Sequence, residues 1–233
     1  MLNSLHLTLE QDQKEKLMQY IKLLLEELDK QRIIGESSVD DIINRQIYDS
    51  VYPLKLLNIP AESRILDLGT GGGLPGIPLK ICKPDLDVHL LDANKKRVIL
   101  LSKIIEKLHL KNTHVIHGRA EKIGQEMRHR EKFNIVLSKA VAKTSILAEL
   151  TLPLANMDGK VLLYKGPKGE AEIDEAKGAL ELCGGEHERT WDYRLPTGEK
   201  RKLLLIRKIN KTPEKYPRRE GKPEKAPLRW AHK

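Results

Sequence analysis

The sequence predicts an α/β protein built on a parallel, doubly wound sheet that closes with an antiparallel hairpin, preceded by a helical cap. Three observations predict it. Short apolar runs alternate with helical stretches from Arg64 onward. A glycine cluster, Asp67 to Gly76 reading Asp-Leu-Gly-Thr-Gly-Gly-Gly-Leu-Pro-Gly, joins the first such run to a helical one. Near the end, a turn-rich break at Pro196-Thr197-Gly198-Glu199 separates two β-rich runs.

In chain order, Leu17, Ile21, Leu24, Leu25 and Leu28 recur at helical spacing between Glu10 and Lys30, with Lys and Glu on the opposite face. Gly35 and Glu36 interrupt. Ser38 followed by Asp41 resembles a capping box for a second helix carrying Val39, Ile42, Ile43, Ile47 and Val51, which should stop near Pro53. Residues 1–60 therefore form a cap placed to wall the entrance to a site. Expected strands are Arg64–Leu68, Asp87–Leu91, Thr113–His117, Phe133–Ser138 and Gly159–Lys165, then a hairpin of Arg189–Leu195 and Lys200–Arg207. Expected helices are Asn94–Leu108, Thr144–Leu150 and Glu170–Leu182. The main domain spans residues 61–209, and residues 210–233 form a basic, proline-rich arm.

At 233 residues the chain suits one domain of about 200 residues with appendages. No apolar run approaches the ~18 residues of a membrane span, and the first residues lack a basic segment followed by an apolar one, so a cytoplasmic monomer is expected. Cys82 and Cys183 have no partner at metal or disulfide spacing. The net charge of +9 favours a polyanionic partner. From Asn210 to Lys233, eight Lys or Arg against three Glu give a net of +5. Pro213, Pro217, Pro223 and Pro227 prevent a continuous helix there and favour an extended, adaptable arm. If the arm binds the phosphates of such a partner, deleting Asn210–Lys233 should weaken that binding and flatten its salt dependence.

Glycines at 69, 71, 72 and 73 let a nucleotide-like ligand approach the backbone, and the N–H groups of such a loop suit a carboxylate, phosphate or ribose. Two frames compete. Gly71-x-Gly73-x-x-Gly76 satisfies a dinucleotide fingerprint, with Pro75 between its last two glycines. Asp67-x-Gly69-x-Gly71-x-Gly73, with the acid at the strand end, resembles motif I of S-adenosylmethionine-dependent methyltransferases and is preferred. Asp92, 23 residues past Gly69, ends the second strand, where a carboxylate accepts ribose hydroxyls or caps the helix at Asn94. Asp67 is placed to position a ligand ammonium group, directly or through water. Ala120 and Glu121 follow the third strand, where an adenine would lie, with Glu121 itself read as a solvated acid. Lys139 and Lys165 end the fourth and fifth strands and, beside Arg119 and Lys143, make a basic rim for RNA. His114 and His117 fall on opposite faces of a strand and cannot chelate one ion together; no metal is expected.

These pieces resemble the glucose-inhibited division protein B family, the bacterial ribosomal RNA small subunit methyltransferase G family, from about residue 40 to Leu228. The narrowest stretches are Asp67-Leu-Gly-Thr-Gly-Gly-Gly-Leu-Pro-Gly-Ile-Pro and the tail Thr212-Pro-Glu-Lys-Tyr-Pro-Arg-Arg-Glu-Gly-Lys-Pro, which holds Arg218 and Arg219. Leu90-Leu-Asp92, Arg119-Ala-Glu121 and Lys165-Gly166 also match. The resemblance implies a Rossmann-like seven-stranded fold and methyl transfer from S-adenosylmethionine to N7 of a guanine in 16S ribosomal RNA, free or in the small subunit. It also implies cofactor contacts at Gly69, Leu74, Ala120, Glu121 and position 139. Where the family carries Ser-Arg-Ala, this chain has Ser138-Lys139-Ala140; where it carries His before Asp-Ser, this chain has Gln46 before Asp49-Ser50; and Ile33-Ile-Gly replaces Asn-Leu-Thr. The rival reading is a ribosome-binding or assembly factor that keeps the fold without the activity.

Overall fold

A computed structural model describes residues 8–31 and 38–229. The Ile33-Ile-Gly segment, the interruption at Gly35-Glu36, the side chain of Leu28 and Lys233 lie outside the described residues.

Seven strands form one sheet: β1 (Arg64–Leu68), β2 (Asp87–Asp92), β3 (Thr113–His117), β4 (Phe133–Lys139), β5 (Ala155–Lys165), β6 (Gly185–Arg194) and β7 (Lys200–Lys208). Their spatial order is β3-β2-β1-β4-β5-β7-β6. The first five are mutually parallel, and β7 enters antiparallel between β5 and β6. The order reverses between β1 and β4, so the crevice for a ligand opens at the carboxyl ends of those strands. β5 and β6 each begin about four residues earlier than the sequence predicts. In both places the pairing carries an irregularity, between Phe133 and Ile135 and between His187 and Arg189, which breaks the alternation that marks a strand in sequence.

Helices cover both faces. On one, α1 (Gln11–Gln31) lays Leu17, Ile21 and Leu24 into the same apolar cluster as Ile65, Ile77, Leu90 and Leu101. Burying each such side chain is worth about 1.5–3 kcal/mol, so the cap is part of the main core rather than a detachable lid. The second cap helix is not uniform. α2 (Val39–Asp41), started by the Ser38 hydroxyl accepting the Asp41 N–H, runs into a π-helical stretch, Ile42–Ile47, then α3 (Tyr48–Val51) and α4 (Pro53–Leu56). The wider turn keeps Ile42, Ile43 and Ile47 buried while Gln46 and Asp49 reach the end of β4. On the same face lie α5 (Gly76–Cys82) and α6 (Lys95–Lys107); on the other, α7 (Ala120–Ile123), α8 (Thr144–Thr151) and α9 (Ala171–Leu182) pack Ile123, Leu147, Ala148 and Ile173 against Leu66, Val136 and Leu163.

The carboxyl-terminal arm is docked rather than adaptable. It forms no long helix, only α10 (Lys222–Lys225), yet Thr212 and Tyr216 are buried. Arg130 donates to the carbonyls of Thr212 at 2.8 Å and Tyr216 at 2.7 Å, and Gln125 donates to those of Glu214 and Pro217. Arg218 grips the fully buried carboxylate of Glu149 on α8, through Nε at 2.8 Å and Nη2 at 2.6 Å, while its own N–H adds a third bond. An arm with this many internal partners is a strap on the domain, so removing it strips buried surface and leaves Glu149 unpaired. The Arg218→Ala variant is therefore expected to lose on the order of 3 kcal/mol of unfolding free energy, because a buried charge keeps its desolvation cost when its partner goes. Urea unfolding checks this, and a loss under about 1 kcal/mol would show that the pair does not hold the strap.

Candidate cofactor-binding site

The site is built around one carboxylate. Asp67, at the end of β1 and fully buried, accepts the Thr70 hydroxyl at 2.6 Å and the Gly76 N–H at 2.8 Å on Oδ2, so it closes the glycine loop from Gly69 to Gly76 on itself. Its Oδ1 is buried without a hydrogen-bond donor. Burial pushes the Asp67 carboxyl up to about 7, against the hydrogen bonds from Thr70 and Gly76 and the charge of Lys139. A Cβ at Gly76 would collide with Leu90 and crowd that carboxylate. From the cap, the buried Tyr20 hydroxyl donates to the Gly72 carbonyl at 2.9 Å. Burial first, then the Asp67 charge, hold the Tyr20 phenol protonated far above its usual range.

Most of the loop N–H groups expected to suit a carboxylate, phosphate or ribose are taken up within the chain. Gly69 and Thr70 donate to the Leu91 carbonyl, Gly73 and Leu74 to that of Thr70, and Gly71 to Oδ2 of Asp92 at 2.9 Å. What stays open is space. Gly71, at φ +60°, has no neighbour within 4 Å of a would-be Cβ, so the backbone there faces open space. Asp92 takes the helix-start role foreseen for it, Oδ1 accepting the Asn94 N–H at 2.8 Å before α6, and it has a second one the sequence did not show: Oδ2 holds the loop. Gly69, Leu91, Asp92, Gly118, Ala120 and Val141 bound a cleft of about 110 Å³. Val141 covers its Gly69 side, brought there by the left-handed turn of Ala140, φ +57°. A larger cleft of about 250 Å³ lies at the opposite ends of the strands, near Ser63 and Asn156, away from Asp67 and Asp92. The smaller one joins acceptors at one edge, an apolar wall and a glycine that leaves the backbone open to close approach.

Glu121 is not solvated. Only 6% exposed, it accepts the Gly221 N–H of the strap at 3.0 Å. Arg119 reaches both Glu121, at 3.6 Å, and Glu220, at 3.3 Å, so the strap closes over the cleft's far rim. Lys139 and Gln46, at two of the three places where the chain departs from the resembled pattern, touch each other: Lys139 Nζ donates to Gln46 Oε1 at 2.7 Å and pairs with Asp49 Oδ2 at 3.0 Å. The Tyr193 hydroxyl donates to the other oxygen of Asp49. Sequence reading overlooked Tyr20, Asp49 and Tyr193; Asp49 carried a signal, its place before Ser50 in the matched segment, whereas the tyrosines carried none.

The rim divides. Lys143, just before α8, and Arg219 are exposed. Lys165 is not a rim cation: it is buried, donates to the Ala142 carbonyl and pairs with Glu172 at 2.8 Å, and burial pushes its pKa down against that carboxylate. Arg218 is committed to Glu149. His117 contacts the Ala93 carbonyl while His114 faces Asp87, so the two histidines do not meet.

A seven-stranded sheet with its order reversed beside an acid-closed glycine loop, and a second acid at the end of β2, defines a Rossmann-like methyltransferase. Among solved structures with this fold are an S-adenosylmethionine-dependent methyltransferase from Aquifex aeolicus (17% identity, TM-score 0.55, covering 79% of this chain and 97% of that one) and the fibrillarin pre-rRNA processing protein of Methanococcus jannaschii (16%, TM-score 0.52, 66% and 71%). Residues 13–202 match the family profile described as rRNA small subunit methyltransferase G. Proteins named ribosomal RNA small subunit methyltransferase G from Lachnoclostridium phytofermentans (42% identical, 97% of this chain and 94% of the relative) and Desulforamulus reducens (39%, 97% and 100%) agree along nearly the whole length. The chain belongs to the rRNA small subunit methyltransferase G family, whose members are S-adenosylmethionine-dependent methyltransferases.

The raised pKa of Asp67 has a measurable sign. Its carboxyl keeps its proton to about pH 7 when folded and only to about 3.9 when unfolded, so the associated stability is complete below about pH 4 and is lost as pH rises through 7. Asp67→Asn, which cannot ionise, should gain on wild type by on the order of 2 kcal/mol between pH 5 and pH 8 in urea unfolding. A constant difference across that range would place the carboxyl's titration elsewhere.

Proposed function

We propose that this chain transfers the methyl group of S-adenosylmethionine to N7 of a guanosine in 16S ribosomal RNA, acting as a cytoplasmic monomer on the RNA or the small subunit. The single observation behind the cofactor's place is the loop closed by Asp67 with Asp92 fixing Gly71 beside it. Bound there, the cofactor supplies a methyl group on a positively charged sulfur. Guanine N7 already carries a lone pair, so no residue need remove a proton before attack. The work left to the chain is positioning, for which well-oriented groups supply roughly 7–11 kcal/mol, and electrostatic fit to a dispersing positive charge. Asp92 offers acceptors to ribose hydroxyls at the cost of its bond to Gly71, and Asp67 sets the loop on which a methionine-like tail would lie. Lys139, held by Gln46 and Asp49, borders this crevice. Lys143 and Arg219 remain available to phosphates, with Lys122 and Lys215 bordering the same cleft as Arg219.

Labelled methyl transfer to unmodified 16S RNA and to small subunits, with the labelled base mapped, tests this. Label is expected at a guanine N7 and should fall by on the order of 100-fold in Asp92→Ala, since small misplacement of a reactant is that costly. Cofactor binding with no label on either substrate would favour a non-catalytic ribosome-binding factor instead. For RNA binding, Arg219→Ala and Lys143→Ala should each reduce the slope of log affinity against log salt by about one, while Lys165→Ala should leave it unchanged. Equal slopes for all three variants would remove Lys143 and Arg219 from the RNA surface.

A further inference from the structure

The geometry points to a second site, a divalent-cation site of the zinc class formed by Asp87, His89 and His114 at the amino-terminal ends of β2 and β3. His89 and His114 are directly paired neighbours in the parallel register, so their side chains share one face of the sheet. Asp87, two residues before His89, lies on that face too. His89 Nε2 is 3.2 Å from Asp87 Oδ2, and His114 Nε2 is 3.2 Å from Asp87 Oδ1. One ligand atom from each of the three lies within 4.8 Å of the others. Tetrahedral zinc with bonds of 2.0–2.1 Å holds its ligand atoms about 3.3 Å apart; each imidazole already stands near that distance from one carboxylate oxygen, His89 from Oδ2 and His114 from Oδ1, so a turn of the carboxylate is what brings a single oxygen between the two rings.

One carboxylate oxygen is open, while the other is already engaged by His89 Nε2 and Arg64 Nε. Asp87 Oδ1 is buried and accepts no hydrogen bond, although His114 stands beside it. His89 is buried with its ring edge-on to Phe133, at 5.2 Å, which fixes its direction. His114 is 56% exposed, leaving an entry path and room for a water as fourth ligand. The competing cation is Arg64, whose Nε lies 3.3 Å from Asp87 Oδ2. It engages the oxygen away from His114, and its half-exposed guanidinium, lying over Phe133, can turn to solvent. Two imidazoles and one carboxylate select zinc, cobalt or nickel rather than magnesium or calcium, which prefer all-oxygen sets.

Such an ion would be structural. Asp87 stands five residues before Asp92 on the same strand, about 16 Å at the usual rise, so the site is remote from methyl transfer. β3 is the outermost strand and pairs only with β2. A metal across them would clamp the edge strand whose following turn, Gly118 to Ala120, lines the cofactor cleft.

The test uses the full-length chain freed of metal by a chelator and titrated with Co²⁺, whose visible absorption reports tetrahedral nitrogen and oxygen ligation. Wild type is expected to bind one Co²⁺ per chain, to release it to Zn²⁺, and to melt at a higher temperature with Zn²⁺ than without. His114→Ala, at an exposed position that spares the core, should bind at least 10-fold more weakly and lose the Zn²⁺-dependent rise in melting temperature, while His117→Ala on the other face of the strand should retain both. Absence of saturable binding in wild type, or equal binding by wild type and His114→Ala, would overturn the proposal.

Discussion

The structure depends on the closure of the glycine loop by a buried carboxylate. Asp67 sits where β1 ends between two other buried strands, and water cannot reach it. A polar group so placed must find its partners within the chain. It finds them nine residues on, at Gly76, and three residues on, at Thr70. Those two bonds dictate the loop's path, the start of α5, and the need for a residue without Cβ at position 76, where Leu90 and the carboxylate leave no space. The cap helix then contributes Tyr20 to the crest of the loop, which is why a helix distant in sequence belongs to the core. The acid works first on the protein and only through it on a ligand.

The strap reflects the same constraint at another place. Glu149 is buried in α8 and Lys208 at the end of β7, and neither is left without partners: Arg218 answers the first, while the second reaches the Leu152 carbonyl at 2.7 Å and Glu131 at 3.3 Å. The first contact depends on the segment after β7 lying against the sheet, and Thr212 of that segment also accepts from Lys208. Burial brings Lys208 down to about 8, with Glu131 opposing, so even that cation is held close to the limit of its charge. Positive charge in the described part of the arm is therefore of two kinds: Arg218 neutralises a buried carboxylate, whereas Lys215 and Arg219 face solvent. Counting lysines and arginines cannot separate them.

That distinction marks what was legible in the sequence. The succession of strands along the chain, the glycine loop and Asp92 were readable because short apolar runs, glycine clustering and an acid at a strand end each leave a local trace. β1 and β3 match their expected ends. The early starts of β5 and β6 were hidden because irregular pairing destroys alternation. Lys165, Arg218 and Glu121 were misread for a shared reason. Each is a charged residue whose partner, Glu172, Glu149 or the Gly221 N–H, is set by tertiary packing and carries no sequence signal at short range. The pairing of His114 with His89 across β2 and β3 escaped in the same way, since spacing within one strand says nothing about its neighbour.

Lys139 and Gln46 show how a departure from a family pattern changes meaning once the fold is known. Taken singly, Lys in place of Arg loses a planar fork of donors, and Gln in place of His loses an ionisable ring. Taken together, they are one contact of 2.7 Å, flanked by the 3.0 Å pair of Lys139 with Asp49. A single ammonium directs its protons at both Gln46 and Asp49, and the amide oxygen is an acceptor that a protonated imidazole could not be. The tyrosine behind Asp49 completes the set by donating to its other oxygen. Nothing in the group is left as an uncompensated charge, because the cation, the carboxylate and the two neutral partners satisfy one another. Two substitutions that look like erosion along the chain therefore form, in space, one coherent replacement at the end of β4, beside the loop that Asp67 closes.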